Sequence, residues 1–304
     1  DSKKNSGHLQ RPIRERYVAA KAMKDDYPIT LLCEVLGISR SGYHAWHGGH
    51  RDRRATRDRY LGKCIDQAFD QSRRTYGYPR MTLELRARGE RVGKTRVARL
   101  MRDAGLQGRR RRAFRPRTTQ SNHDGAIAPN RLAKIEAITS LNQVWQTDIT
   151  YVRTDEGWLY LAMVMDAFSN RIIGWAFSSD LGTQFVVDAL LMAVNHRGGR
   201  AARQVVLHSD RGVQYSSARF RSQLAEHEIL ASMSRRANCY DNAKAEAFFS
   251  TLKIELVYRT RYVTRSQARC SIFEWIEAFY NLRRRHTSIG GISPVDFEHQ
   301  LTTK

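Results

Sequence analysis

The sequence predicts two unlike halves: a basic all-α region of helix-turn-helix-like plan, then an α/β domain whose helices flank a mixed β-sheet. Three observations lead there. The net charge of +22 is lopsided: residues 1–140 hold 32 Lys and Arg against 14 Asp and Glu, and residues 141–304 hold 20 against 16. Apolar residues recur at helical spacing as far as about residue 106 and alternate from about residue 142. No proline interrupts the chain between Pro129 and Pro294, which marks one continuous folded unit.

A chain of 304 residues with 41% apolar content can bury a sizeable core. No apolar run approaches the ~18 residues of a membrane span, and no signal-peptide pattern opens the chain, so no membrane partner is expected. Cys33, Cys64, Cys239 and Cys270 are scattered without a CxxC pair. That argues against a disulfide framework and suits a reducing cytoplasm. His44, His47 and His50 with Cys33 or Cys64 lack the spacing of a zinc site. The charge surplus of the first 140 residues is the footprint of a polyanion binder, nucleic acid above all. The absence of an initial methionine is consistent with a removed tag or a start further upstream.

Taken in order, residues 1–50 form a first helical segment. A helix is expected over Ile13 to Lys24 and a short one over Ile29 to Leu36. Gly37-Ile38-Ser39 then turns the chain, with Ser39 capping a helix to about Trp46. Helix, turn, helix fits a helix-turn-helix or a plain helical hairpin. In the former, Arg40, Tyr43 and His44 face DNA. Residues 51–118 form a second basic module. Tyr60, Cys64 and Phe69 mark a helix, Thr75 to Pro79 a turn, and Met81 and Leu85 a helix that the alternation Met81, Leu83, Leu85 weakens. Lys94 to Ala104 is the clearest helix of the module. Its Val97, Leu100 and Met101 point inward and leave Lys94, Arg96, Arg99 and Arg102 for solvent or phosphate. Arg109, Arg110, Arg111, Arg112, Arg115 and Arg117 then form an arm without an apolar face, suited to tracking phosphates with little sequence preference. Residues 119–140 read as a linker, with a short helix over Asn130 to Ala137.

Residues 141–304 carry the α/β domain. From Asn142 to Arg153, Trp145, Thr147, Ile149 and Tyr151 alternate with Gln146, Asp148 and Thr150, which predicts a strand with one buried face and Asp148 on its polar face. Thr154 to Gly157 turns into an apolar strand, Trp158 to Met165, and Arg171 to Phe177 is a third. A helix over Gly182 to Val194, a short strand Val205 to Leu207, a helix, a strand Ile229 to Met233, the helix holding Glu246 and a long last helix, about Ser266 to Arg285, complete the order. Asp210 lies just past the carboxyl end of its strand, the usual ligand position in an open α/β sheet. In the last stretch before the C-terminal helix, Ala245, Phe249, Leu252 and Leu256 form one helical stripe. Glu246 sits beside it, and Lys253 stands seven residues on, nearly in line. On that stretch alone, a metal-and-phosphate site and a solvated helix face fit equally.

Asp148, Asp210 and Glu246 are spaced by 62 and 36 residues. With them stand the motifs TYGYPR, VARLMR, NQVWQTDITYV, GWLYLAMVMDAFS, IIGWAFS, HSDRGVQY, NCYDNAKAEAFFSTLKIE and FYNLRRRHTSIGGISP, in that order, over about residues 30 to 298. The set resembles the DDE transposases and retroviral-type integrases, and in detail the second-frame product of the IS-three family of bacterial insertion sequences. Ala237 stands where that pattern more usually has glycine.

The resemblance implies an RNase H-like core, a fold with which the predicted element order agrees. It also implies a transposase whose Asp148, Asp210 and Glu246 are both catalytic and metal-binding. Breaking a phosphodiester needs an activated nucleophile and charge stabilisation on both sides of the phosphoryl group, which two divalent ions can supply. Mg²⁺ is the expected cofactor, two per site, with Mn²⁺ as a substitute. Asp148 would bridge the ions, with Asp210 and Glu246 holding one each. Lys253 and Arg211 are candidate DNA contacts, as are Lys94, Arg96, Arg99 and Arg109 to Arg112. His208 either orients Asp210 or is a satisfied core histidine. Asn238 and Asn242 shape the helix entry or meet the DNA end. Asp166 and Asp241 read as decoys, and Arg283, Arg284, Arg285 and His286 as a basic patch for target DNA. Expected partners are the terminal inverted repeats, target DNA, a second copy in a dimer or larger assembly, and a first-frame protein as fusion or companion. A DNA-binding regulator derived from a transposase and a plain metal-dependent nuclease are the alternatives.

Overall fold

The computed structural model describes residues 11–109, 127–234 and 242–303, with the backbone alone at 50–52. The chain packs as two compact units. One runs to Ala68 and takes in Thr95–Leu106; the other joins Phe69–Lys94 to the chain from Gln107 onward. The dividing lines therefore run through the stretch read from sequence as one module, 51–118.

In the first unit, α1 (Ile13–Ala22), α2 (Ile29–Val35) and α3 (Arg40–His47) enclose a small core of Tyr17, Ala20, Leu32, Cys33, Leu36, Ile38 and Tyr43. Gly37 takes the left-handed turn at φ +59, and the Ser39 hydroxyl accepts the Gly42 N–H at 3.0 Å. Trp46 stacks on Tyr17 with ring centroids 5.6 Å apart. α4 (His50–Gln71) begins here and ends in the other unit. Its Asp58 pairs with Arg96 and Arg99 of α6 (Lys94–Asp103) at 2.7 and 2.6 Å.

The second unit holds α5 (Tyr78–Ala87), a helix despite its alternating residues, because Pro79 sits in the first turn where its missing N–H costs nothing. Its sheet has the order β3-β2-β1-β4-β5. β1 (Val144–Thr154), β2 (Gly157–Asp166) and β3 (Ile172–Ser178) form an antiparallel meander, and β4 (Val206–Ser209) and β5 (Leu230–Met233) add in parallel beside β1. This is the mixed sheet with flanking helices expected from the sequence. One face carries α7 (Gln184–His196), α8 (Val213–Ser216) and α9 (Ala218–Glu226), whose apolar residues meet Trp145, Ala162, Val164 and Leu207. At Gly174 the backbone of α7 comes so close that a Cβ would strike Ala189 O.

α10 (Ala243–Glu255) lies against β1. Gln146 and Thr150, on the face that the alternation made polar, are buried all the same. A central strand covered on both sides has no wet face, and sequence alternation cannot say what covers it. The last long helix also differs from expectation. α11 (Arg265–Glu274) begins with a capping box at Thr264 and continues as a π-helix over Trp275–Asn281. The helix expected over Asn130 to Ala137 is a single 3₁₀ turn, Leu132–Lys134. A further helix, α12 (Pro294–Thr302), follows the Ser293 cap.

Candidate active site

The loop after β4 and α10 bring two carboxyl groups, Asp210 and Glu246, within electrostatic reach of Asp148 on β1. Asp148 lies in the middle of β1, half-buried, opposite Met163 of β2. Asp210 follows the last residue of β4, whose register sets His208 beside Gln146 of β1, two residues before Asp148. Glu246 lies in the first turn of α10, where the positive end of the helix dipole favours a carboxylate.

Burial, then Asp210, push the Asp148 carboxyl well above its ordinary value. The Ile149 N–H, donated to Asp148 Oδ1 at 2.8 Å, works the other way, Glu246 raises it again and Lys253 lowers it. Lys253 Nζ sits 4.9 Å from the centre of the Tyr151 ring. Burial lowers its pKa, against the pull of Asp148. Asp210 Oδ1 accepts the Gly212 N–H at 2.9 Å, and a Cβ at Gly212 would stand 3.1 Å from that oxygen. The donors are all carboxylate oxygens, the type hard divalent cations take. Like charges press on Asp148, which a cation would relieve. The residues fit Mg²⁺ or Mn²⁺ on that ground. Among the described residues no three His, Cys, Asp or Glu stand grouped so as to hold a metal ion as they are placed.

The other candidates divide. His208 is a core histidine: its two ring nitrogens face Ser232 Oγ at 2.9 Å and Ser234 Oγ at 3.0 Å, joining β4 to β5. Arg211 spends its Nε on Ser234 O at 2.8 Å. Asn242 Nδ2 donates to Thr147 O at 3.4 Å and ties the start of α10 to β1 beside Asp148. Asn238, Asp241, Arg110, Arg111 and Arg112 lie outside the described residues. Arg109 is exposed, as is Lys94, while Arg96 and Arg99 share Asp58. The expected patch at the C-terminal end is not one patch. Arg284 is buried against Glu255, Arg285 is paired with Glu84, His286 is mostly covered, and Arg283 alone is openly exposed. Arg284 and Arg285 each found an acid elsewhere in the chain, which a run of like charges does not reveal.

Sequence reasoning missed Tyr215. Its hydroxyl is buried 3.3 Å from Thr147 Oγ1, and burial, Asp148 and Asp210 together push its pKa well up. Its position five residues after Asp210, in HSDRGVQY, was the available signal.

The integrase core domain family matches residues 139–239 and 227–294, and an HTH-like domain matches residues 56–114. The chain is 39% identical over 288 residues to the transposase InsF for insertion sequence IS3A of Escherichia coli strain K12, covering 94% of this chain and 99% of that protein. It is 41% identical over 273 residues to the insertion element IS600 uncharacterized 31 kDa protein of Shigella sonnei, covering 89% of this chain and 99% of that one. Among solved structures, the HTLV-2 integrase catalytic core domain in complex with magnesium is 15% identical with a TM-score of 0.40, over 52% of this chain and 97% of that chain. No helix among the described residues is long and apolar enough to cross a membrane. The chain belongs to the IS3 family of insertion-sequence transposases, enzymes with an HTH-like domain and an integrase core of RNase H-like fold.

Proposed function

We propose that this transposase cuts one DNA strand at the terminal inverted repeats of its own insertion sequence and joins the freed 3′ end to a second phosphodiester. The observation that carries the proposal is the pressure of Asp210 and Glu246 on the half-buried carboxyl of Asp148, from three separate elements of the fold. Such a cluster is costly unless a cation or a phosphate-bound cation completes it. Asp148, Asp210 and Glu246 would hold Mg²⁺, two ions per site with Mn²⁺ as a working substitute. The bound metal would activate the attacking oxygen and offset charge at the phosphate. Lys253, whose charge acts on Asp148, would meet a phosphate oxygen of the bound DNA. Tyr215, whose hydroxyl meets Thr147 Oγ1, lies within the electrostatic reach of Asp148 and Asp210.

End recognition falls to the basic residues 51–118, through Lys94, Arg96, Arg99, Arg109 and the arginines that follow, with chemistry in residues 141–304. Holding two ends at once calls for a dimer or larger assembly, and a first-frame protein is a candidate companion.

The test is strand transfer with labelled DNA carrying both ends and Mg²⁺, beside Asp148→Asn, Asp210→Asn and Glu246→Gln. Joined product from the wild type, lost in all three variants while DNA binding persists, supports the proposal. Cleavage without joining favours a nuclease. Binding without chemistry, with a first-frame protein added as well, favours a regulator.

A further inference from the structure

Three of the sequence motifs have no place in the chemistry above: TYGYPR, the end of STLKIE, and RRRH. The fold brings all three to one buried carboxylate. Glu255, the last residue of α10, is 4% exposed. Arg284 forks onto it, Nε to Oε2 at 3.0 Å and Nη2 to Oε1 at 2.8 Å. Arg80 of α5 adds a third bond, Nη1 to Oε1 at 3.2 Å. Burial alone would raise the carboxyl's pKa, but the two guanidiniums outweigh it and hold it below the ordinary value.

Neighbours lock both arginines. Arg80 lies over the Tyr76 ring at 4.7 Å and Arg284 over Tyr280 at 5.7 Å. Tyr76 Oη accepts the Arg285 N–H at 2.8 Å, and Arg285 Nε bonds Glu84 at 2.6 Å. Arg259 Nη1 donates to the Glu255 carbonyl at 3.2 Å and to Arg73 O at 2.7 Å.

α10 is the helix that carries Glu246 and Lys253. Along its middle it packs through apolar side chains, Ala245, Phe248, Phe249 and Leu252. Apolar contact is non-directional and does little to resist a small slide or turn of the helix. At its first turn Asn242 donates to Thr147 O and Lys244 to Ala167 O. A forked ion pair, in contrast, has one geometry. Buried ion pairs add little net stability over an apolar replacement, and their best-attested use is to set register. Glu255 lies nine residues from Glu246, roughly 14 Å along a rigid helix, so an axial shift at one end is an equal shift at the other. Displacements of about 1 Å are enough to spoil a catalytic constellation.

We propose that Glu255, with Arg80 and Arg284, is a positioning device that sets the register of α10 and so places Glu246 against Asp148 and Asp210. The inference rests on the metal-site reading above. It assigns the TYGYPR helix a role in aligning the active site, beyond its place next to a DNA-binding region.

The experiment uses the full chain and three readouts: the thermal midpoint, Mn²⁺ binding by calorimetry without DNA, and kcat and KM for strand cleavage. Arg284→Lys keeps the charge and loses the fork. It should fold, bind Mn²⁺ at least fivefold more weakly and lose kcat by a similar factor at unchanged KM for DNA. The triple variant Arg80→Met/Glu255→Leu/Arg284→Met should keep the thermal midpoint within a few degrees and show the same or a larger loss. Wild-type Mn²⁺ affinity and kcat in either folded variant overturn the proposal, and Arg284→Lys decides if the triple variant fails to fold. Asp148→Asn is the control. If it binds Mn²⁺ as the wild type does, the metal site is wrong. If it loses Mn²⁺ and Arg284→Lys does not, the positioning role alone is wrong.

Discussion

Two clusters of acids lie in the same α/β unit and meet opposite fates. Asp166, at the end of β2, accepts N–H groups from Asn142, Phe168 and Ser169 at 2.8, 2.9 and 3.2 Å, and Arg197 reaches it at 3.4 Å. Glu298 of α12 takes Arg197 at 2.5 and 2.9 Å, Arg171 at 2.6 Å and the Ser169 hydroxyl at 2.7 Å. Burial would raise the Glu298 carboxyl, but the Arg197 bond and charge, with Ser169 and Arg171, hold it down at about 2. Burial raises Asp166 against those N–H groups and Arg197, whereas Asp148 is raised by burial and by two more carboxylates, against the Ile149 N–H and one partly buried lysine. The same residue type is structural where cations and N–H groups surround it and a candidate site where other acids do. A residue's surroundings, not its identity, separate Asp166 from Asp148.

The comparison breaks most sharply at Arg197. Arg197→Met leaves Glu298 and Asp166 buried without their shared partner and should cost about 3–5 kcal/mol, read from urea unfolding. The pH dependence of Glu298 comes next. Its folded pKa lies below the ordinary value of 4.5, so its contribution is whole above about pH 4.5 and is lost as pH falls toward about 2. Two and a half units correspond to about 3 kcal/mol. The wild type should lose that much more stability than Glu298→Gln across this range, in paired acid titrations.

At the trio the signs reverse. Saturating Mn²⁺ should stabilise the wild type by about 2.7 kcal/mol at a hundredfold excess over Kd, and Asp148→Asn by far less. The smallest effect expected is a gain. Without metal, Asp148→Asn removes a repelled charge and should raise stability by about 1 kcal/mol while abolishing strand cleavage, as a stability–activity trade-off requires. An equal loss of stability in Asp148→Asn would mean that the carboxylate is paired after all and that the two clusters are alike.

Much of this was legible in residues 141–304. Strand alternation placed Asp148 in mid-strand, the short run Val205 to Leu207 placed Asp210 at a strand end, and the stripe Ala245, Phe249, Leu252 placed Glu246 on a helix, because these are local periodicities. The HSDRGVQY motif also contained Tyr215, but nothing local says that its hydroxyl meets Thr147 of β1. The winding of Trp275–Asn281 as a π-helix left no trace in the spacing of apolar residues, since a run of aromatics suits either helix.

The sequence by itself determined the element order and the charge imbalance, set by composition and by periods of two and 3.6 residues, while the three carboxylates were singled out by the family resemblance. Only the tertiary structure decided which charges were available. It gave Asp58 to Arg96 and Arg99, Glu84 to Arg285, and Glu255 to Arg80 and Arg284, and it left Asp148 pressed between Asp210 and Glu246. Pairing of charges depends on distances in space between residues up to about two hundred positions apart, as Glu84 and Arg285 are. A local pattern carries no information about such distances, and desolvation, which sets the worth of each pair, exists only once the chain has packed.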